Sequence, residues 1–235
     1  MRPERAGGLL TAGLLAAWCA PGPAPVFPPL ARAFALPLRR ERGRGIALTF
    51  DDGPDPRGTP AVLELLARER VSATFFLVGE QVERAPALAA EIAAAGHEVG
   101  VHGYRHRLLL RRSPGALRED FARAAELLAE ASGAPSRYYR PPYGVFSSAG
   151  LALARARWQP ILWSRWGRDW QARATARSIS TRVTRDLRAG EVLLLHDSDR
   201  YSSRDSWRRT LAALPAVLEA ARASGEPLVR LSEPA

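Results

Sequence analysis

From Gly45 onward, short apolar runs of strand length alternate with amphipathic stretches of helix length, and this alternation narrows the fold more than any other feature. The strand-like runs are Ile46–Phe50, Ser72–Val78, His97–Val101, Arg137–Arg140, Gln159–Ser164, Glu191–His196 and Pro227–Leu231. Helices are predicted between them. Thr59-Pro60 reads as an N-cap with proline at the first position, and Gln81–Ala95 as an Ala-rich helix closed by Gly96. Ser113-Pro114 opens a helix to about Ala131 with Leu117, Phe121, Ala124, Ala125 and Leu128 on one stripe. Further helices start at Ser147 and cover Thr175–Arg188 and Ser206–Ser224. Strand–helix–strand succession demands parallel crossovers, so the class is α/β, either a (β/α) barrel or a doubly wound sheet. No internal repeat is visible.

Composition excludes several functions. With 235 residues and 46% apolar content the chain can bury a core without staples. Its net charge of +10 is unevenly spread: residues 1–44 carry a net +5, leaving +5 for the rest. That is modestly basic, suited to anionic surfaces, and no basic run interleaved with aromatics points to nucleic acid. The sequence has no lysine, which removes Schiff-base chemistry and the P-loop lysine. Cys19 is the single cysteine, so neither an intrachain disulfide nor a cysteine-built metal site can form.

The N-terminus reads separately. Arg2 and Arg5 precede an uncharged run from Ala6 to Ala20, the length of a secretory apolar region and short for a spanning helix. Ala33-Phe34-Ala35 resembles a cleavage site, and an uncleaved membrane anchor is the alternative. Trp18 argues against lipidation of Cys19. Residues 21–44, Pro-rich and then Arg-rich, read as a tether. Residues 1–44 are thus expected to be a signal peptide or anchor plus tether, and 45–235 the catalytic domain of an exported protein.

The strand ends carry the chemistry-bearing residues. Ile46–Phe50 stops at Asp51-Asp52-Gly53-Pro54; Asp-Asp-Gly alone reads as a turn, and two carboxylates at a strand's carboxyl end as a site. Adjacent strand side chains point opposite ways, so one carboxylate could hold a cation while the other stays free as a base. His102 and His106, four apart, follow the third strand and can converge on one cation with a carboxylate. The fourth strand ends in Arg140-Pro141-Pro142-Tyr143-Gly144, the fifth leads to Asp169-Trp170, and the sixth ends in His196-Asp197. His97, which opens a strand after the helix-closing Gly96, reads as structural. Arg105, Arg107, Arg111 and Arg112 read as a solvated loop or as a contact for an anionic polymer or phosphate.

These motifs, in this order, resemble the polysaccharide deacetylases with the NodB-homology domain, carbohydrate esterase family 4, over about residues 45–235. T-F-D-D-G is Thr49 to Gly53, H-S/T-x-x-H is His102 to His106, and R-x-P-Y is Arg140 to Tyr143. D-x-x-D-W ends at Asp169-Trp170, and L-x-x-H is Leu193 to His196. The resemblance implies a distorted, incomplete (β/α) barrel of about seven parallel strands. It implies that Asp52, His102 and His106 bind one divalent metal, usually zinc, and that Asp51 is the base for a metal-activated water. Arg140 would orient Asp51, the backbone N–H of Tyr143 would help hold the oxyanion, and Trp170 and Leu194 would shape the acetyl pocket. His196 would be the acid, tuned by Asp169.

The implied activity is N-deacetylation of an N-acetylated sugar in a cell-envelope polysaccharide, peptidoglycan or chitin-like. O-acetyl esterase action, deacylation of lipid-linked sugars at a membrane reached through the N-terminus, and a glycan-binding relic are the alternatives. Two positions depart from the pattern. Gly103 replaces Ser or Thr and loses a hydroxyl that would steady the metal-site loop. Trp166 stands where the first Asp of the fourth motif is expected, in a Trp-rich stretch that suits either core packing or sugar stacking.

Overall fold

The computed structural model describes residues 12–40 and 44–233. At its centre is β1 (Ile46–Asp51), six consecutive buried residues. A strand covered on both faces reads as an apolar run rather than an alternation, and β2 (Thr74–Leu77) and β7 (Val192–His196) are buried throughout in the same way. Around them lie β3 (Glu98–Val101), β4 (Tyr138–Tyr139), β5 (Gln159–Pro160) and β6 (Arg165–Trp166). The order along the sheet is β5-β4-β3-β2-β1-β7-β6, every pairing is parallel, and β8 (Leu228–Val229) adds to the start of β1.

This order forces curvature. The edge strands β5 and β6 are joined directly through residues 161–164. Five Cα steps reach at most about 18 Å, whereas a flat seven-stranded sheet would set its edges about 29 Å apart. The sheet therefore curls into a half-barrel with one open seam, which is the expected incomplete (β/α) barrel.

Helices cover the outside. They are α1 (Pro28–Ala33), α2 (Gly58–Glu69), α3 (Gly79–Arg84), α4 (Pro86–Ala94), α5 (Pro114–Ser132), α6 (Ser148–Arg155), α7 (Ala176–Thr184) and α8 (Ser206–Ala223). Residues 12–19 are also helical. The caps read at Ser113 and Ser147 are present: their hydroxyls accept from Ala116 N and Gly150 N. Thr175 makes a capping box with Ser178. On α5, Leu117, Phe121, Ala124 and Leu128 are buried.

Three local expectations differ. Thr59 is not an N-cap; it lies inside α2, and Asp55 takes the capping role by accepting from Arg57 N and Gly58 N at 2.9 and 3.1 Å. The single helix over 81–95 is two, divided at Ala85-Pro86, because proline cannot continue the hydrogen-bond ladder and instead starts α4. The strand expected over 159–164 is short: only β5 forms there, paired with β4, residues 161–164 are the connection across the seam, and β6 follows at Arg165–Trp166, paired with β7.

The segment read as a tether is packed over 21–40. Ala24, Ala31 and Leu36 belong to the hydrophobic core. Leu162 N, in the seam, donates to Pro37 O at 2.9 Å, and Arg40 N to Gly190 O at 2.9 Å. Trp18 Nε1 donates to Leu110 O at 3.0 Å. The segment lines the open side of the barrel, where Leu162 N would otherwise lack a partner, its neighbours Ile161 N and Ser164 N being bonded to Tyr139 O and Val192 O. The targeting expectation for residues 1–20 falls in part on residues 1–11, outside the described residues. Among the described residues no helix is long and apolar enough to cross a membrane.

Candidate active site

The carboxyl ends of β1, β3 and β7 meet over one pocket of about 300 Å³. Asp51 and His196 are register partners on neighbouring strands, so their side chains leave the same face of the sheet. Asp52, one residue past the strand, was expected on the opposite face. Its φ of +79° turns it back, and both carboxylates line the pocket. An aspartate tolerates this left-handed conformation better than most residues.

Asp52 Oδ1 is buried and makes no hydrogen bond. It faces His102 Nε2 at 3.4 Å and His106 Nε2 at 3.2 Å. Burial pushes its carboxyl up, but the two imidazoles and the charge on His196 outweigh burial and hold it well below the usual carboxylate range. His102 Nδ1 lies 2.8 Å from Arg140 O, so Nδ1–H donates there and the Nε2 lone pair points at Asp52. His106 is held by packing: it stacks on Tyr201 at 4.1 Å and meets the Tyr143 ring edge-on at 4.5 Å. One donor atom from each of Asp52, His102 and His106 lies within 4.8 Å of the others. An orphaned carboxylate oxygen between two imidazole nitrogens fits a divalent cation, and this N,N,O set suits zinc.

Asp51 is kept apart by Arg140. That guanidinium is fully buried and donates from Nη1 to Asp51 Oδ1 at 2.7 Å and to Thr49 Oγ1 at 2.8 Å. Its other donors go to Leu162 O and Ile161 O, and its face lies 4.1 Å from the Phe76 ring centroid. On the neighbouring strand, His196 Nδ1 donates to Asp169 Oδ1 at 2.9 Å. Asp169 Oδ2 accepts from His196 N and from Thr210 Oγ1, both at 2.7 Å. Burial pushes the imidazole pKa down, but Asp169, with Asp52 and Asp51 behind it, raises it to about 10. His196 is therefore an imidazolium at neutral pH, with Nε2 3.9 Å from Asp52 Oδ2.

The remaining wall is aromatic. Trp163, Trp166 and Trp170 follow one another at 5.6 and 5.4 Å, and Trp170 meets His196 edge-on. Leu194 and Tyr143 complete it, the latter with φ +61°. All ten residues to which the family resemblance gives a role are brought together here or hold one that is.

The comparisons with known proteins follow this geometry. The family model "Polysaccharide deacetylase" matches residues 39–157. A peptidoglycan-N-acetylglucosamine deacetylase of Bacillus cereus is 36% identical over 192 residues, 80% of this chain and 86% of that protein. The chain belongs to the polysaccharide deacetylase family. A chitooligosaccharide deacetylase of a Bradyrhizobium species is 35% identical over 199 residues, 80% of this chain and 90% of that protein. Among solved structures, a peptidoglycan N-acetylglucosamine deacetylase bound to a hydroxamate-type benzamide superposes with a TM-score of 0.78 at 28% identity. It covers 86% of this chain and 92% of its own.

In this deacetylase Gly103 has φ +81°, a conformation that favours glycine, and a Cβ there would sit 3.3 Å from both Arg105 O and Asp120 Oδ1. The loop is steadied by Asp120 instead of a hydroxyl: its carboxylate accepts from Tyr104 N at 2.9 Å and Arg105 N at 3.2 Å. His97 is outside the pocket, as expected. Its Nδ1 accepts from Ala73 N, and burial, with the Arg230 charge, lowers its pKa to about 4.

Four contributors were given no role of their own in the sequence, although Thr49 and Asp197 stand within its motifs. Thr49 lies two residues before Asp51, hence on the same strand face, and that period was a usable signal. Asp197 directly follows His196; it is fully buried, bonded by the Thr59 hydroxyl, and burial pushes its carboxyl up to about 7. Tyr201 lies in the loop after β7 and bonds Glu80 Oε1 at 2.7 Å. Thr210 sits on α8, with no local sign of its contact to Asp169.

Proposed function

We propose that this deacetylase hydrolyses the N-acetyl group of an N-acetylated sugar in a cell-envelope glycan, with one divalent cation, zinc by its donor set, held by Asp52, His102 and His106. A cation bound there would polarise the amide carbonyl and make water a nucleophile near neutral pH. Asp51 takes the proton of the attacking water, held in place by Arg140, whose other donors are anchored on the barrel wall. The acetyl methyl lies against Trp170 and Leu194, and the turn at Tyr143 supplies backbone polarity for the oxygen that gains charge. His196, already protonated, gives its Nε2 proton to the departing nitrogen while Asp169 holds Nδ1.

The observation that carries the reading is the pairing of Asp51 and His196 in register beside the Asp52–His102–His106 group, Asp51 lying 3.9 Å from His102 and His196 3.9 Å from Asp52. An amide's nitrogen leaves only once it is protonated and needs an acid that still carries its proton at the working pH; an ester's oxygen needs less help. The buried Asp169–His196 pair is the reason to prefer N-deacetylation over the O-acetyl esterase alternative. The relatives' substrates, peptidoglycan and chitooligosaccharides, support an envelope or extracellular glycan, and with it a place outside the cytoplasm.

Acetate release from N-acetylated chito-oligosaccharides, peptidoglycan fragments and an O-acetylated sugar tests this. Activity should be lost with a chelator, restored by added zinc, and greatest on an N-acetyl substrate. Faster turnover of the O-acetyl compound, or full activity with chelator, would overturn it.

A further inference from the structure

The mouth of the pocket carries a surface that the reaction does not use. Among the described residues the exposed large apolar side chains are Leu14, Leu15, Val26, Phe27 and Tyr143. Tyr143 is on the pocket rim, and the other four are on the packed N-terminal segment. That segment runs beside the rim: Pro25 Cγ is 3.0 Å from where Gly144 would carry a Cβ, and Gly22 lies against Val145 and Leu110. Val26 and Phe27, 66% and 54% exposed, directly follow Pro25. Leu14 and Leu15 sit one turn before Trp18, which bonds Leu110 O.

The loop that receives Trp18 is cationic. Arg105, Arg107 and Arg111 are exposed; Arg105 lies beside Asp120, while Arg107 and Arg111 form no ion pair among the described residues. Apolar side chains beside unpaired arginines, at one end of a barrel, match the two layers of a bilayer surface: acyl chains beneath and phosphates above. A polyanion would engage the arginines but leave the apolar residues in water. A second copy would bring two cationic rims together.

We infer that this rim docks on an anionic phospholipid surface, with the N-terminal segment as an interfacial anchor that holds the pocket mouth at the membrane. The inference stands apart from the acetyl reading, since it concerns where the pocket is presented and not what happens in it. Val26 and Phe27 enter the headgroup region, and Arg107 and Arg111 contact lipid phosphates. Each such arginine is expected to contribute about fivefold in partitioning.

Sedimentation of the full chain with vesicles of phosphatidylcholine alone, or with 30% phosphatidylglycerol, tests it. The full chain should bind the anionic vesicles at least about tenfold better than the neutral ones, less so at high salt. Val26→Ser/Phe27→Ser and Arg111→Gln should each reduce binding, while acetate release from a soluble oligosaccharide stays unchanged. If the double serine variant folds poorly, Phe27→Cys in a Cys19→Ser background, carrying an environment-sensitive dye, reads the contact directly by a blue shift on anionic vesicles. Three outcomes would overturn the inference. They are equal binding to both vesicles or to neither, a soluble polyanion bound as tightly with the apolar variants unaffected, and a dye that reports water throughout.

Discussion

Asp169→Asn is the perturbation whose effect can be worked furthest. Asn keeps the shape of the side chain, and its carbonyl oxygen still accepts from His196 Nδ1–H, so what is lost is charge. The contact is 2.9 Å between Nδ1 and Oδ1, which puts the charge centres about 4 Å apart. At the effective dielectric that reproduces protein titrations, such a pair is worth about 4 kcal/mol, or about 3 pKa units. The raised His196 pKa should therefore fall by about 3 units. A bound cation opposes the smaller contributions of Asp52 and Asp51 and leaves that of Asp169. The acid must be protonated to act, so the alkaline limb of the pH–rate profile should move down by about 3 units. On the alkaline side of both limbs the variant should be slower by up to about 10³-fold, and on their acidic side close to the parent enzyme. A buried residue that merely supported the fold would lower the rate by one factor at every pH. The assay is acetate release from a soluble N-acetylated oligosaccharide between pH 5 and 10.5, and an alkaline limb that does not move would refute the assignment. Stability carries the same signature. A raised imidazole pKa contributes stability that is fully present below the unfolded value of 6.5 and lost as pH rises through about 10. The variant should lose that slope.

His97 behaves in the opposite sense. Its pKa is lowered to about 4, so its stability contribution is present above pH 6.5 and lost as pH falls toward 4; His97→Gln should flatten this acid loss, at most about 3 kcal/mol, in urea unfolding. Arg140→Met should leave the Asp51 carboxylate buried without its partner and cost about 3–5 kcal/mol, read by urea unfolding. A chain starting at Gly45, read from sequence as self-sufficient, should be destabilised by about 3–5 kcal/mol, because it loses buried Leu36, Ala31 and Ala24 and the seam bond from Leu162; thermal unfolding of the two lengths decides this. Gly103→Ser should weaken zinc binding rather than restore it, since the φ of +81° and the close Asp120 oxygen both oppose a side chain; titration with zinc measures it.

What was legible in the sequence was local or periodic. Ser113 and Ser147 cap their helices because a cap depends on residues two or three away, and the buried strands show as apolar runs. The site residues were legible because all but Leu194 lie at or beyond a strand's carboxyl end, and parallel strands bring those ends together. Pleat alternation would set Asp51 and Asp52 on opposite faces, but it holds only while the strand lasts, and at Asp52 the chain leaves it with a positive φ. Residues 159–164 looked like one strand because sequence does not show that the sheet's two edges face each other across a seam. The packed segment 21–40 was hidden by composition: proline-rich apolar sequence looks the same whether it hangs free or fills a gap. Tyr201 and Thr210 reach His106 and Asp169 through tertiary packing alone, and no spacing in the chain signals such contacts.

The central claim is that two adjacent carboxylates divide the work, Asp52 holding the cation and Asp51 acting as the base. Zinc content, measured by elemental analysis on purified Asp51→Asn and Asp52→Asn proteins alongside the parent, tests it most directly when acetate release is read on the same samples. Asp51→Asn should retain about one equivalent of zinc while its rate falls by about 10²–10⁴. Asp52→Asn should lose most of its zinc and regain part of its activity when zinc is supplied in excess. Equal zinc loss in both variants, or an Asp51→Asn protein that works near the parent rate, would contradict the account.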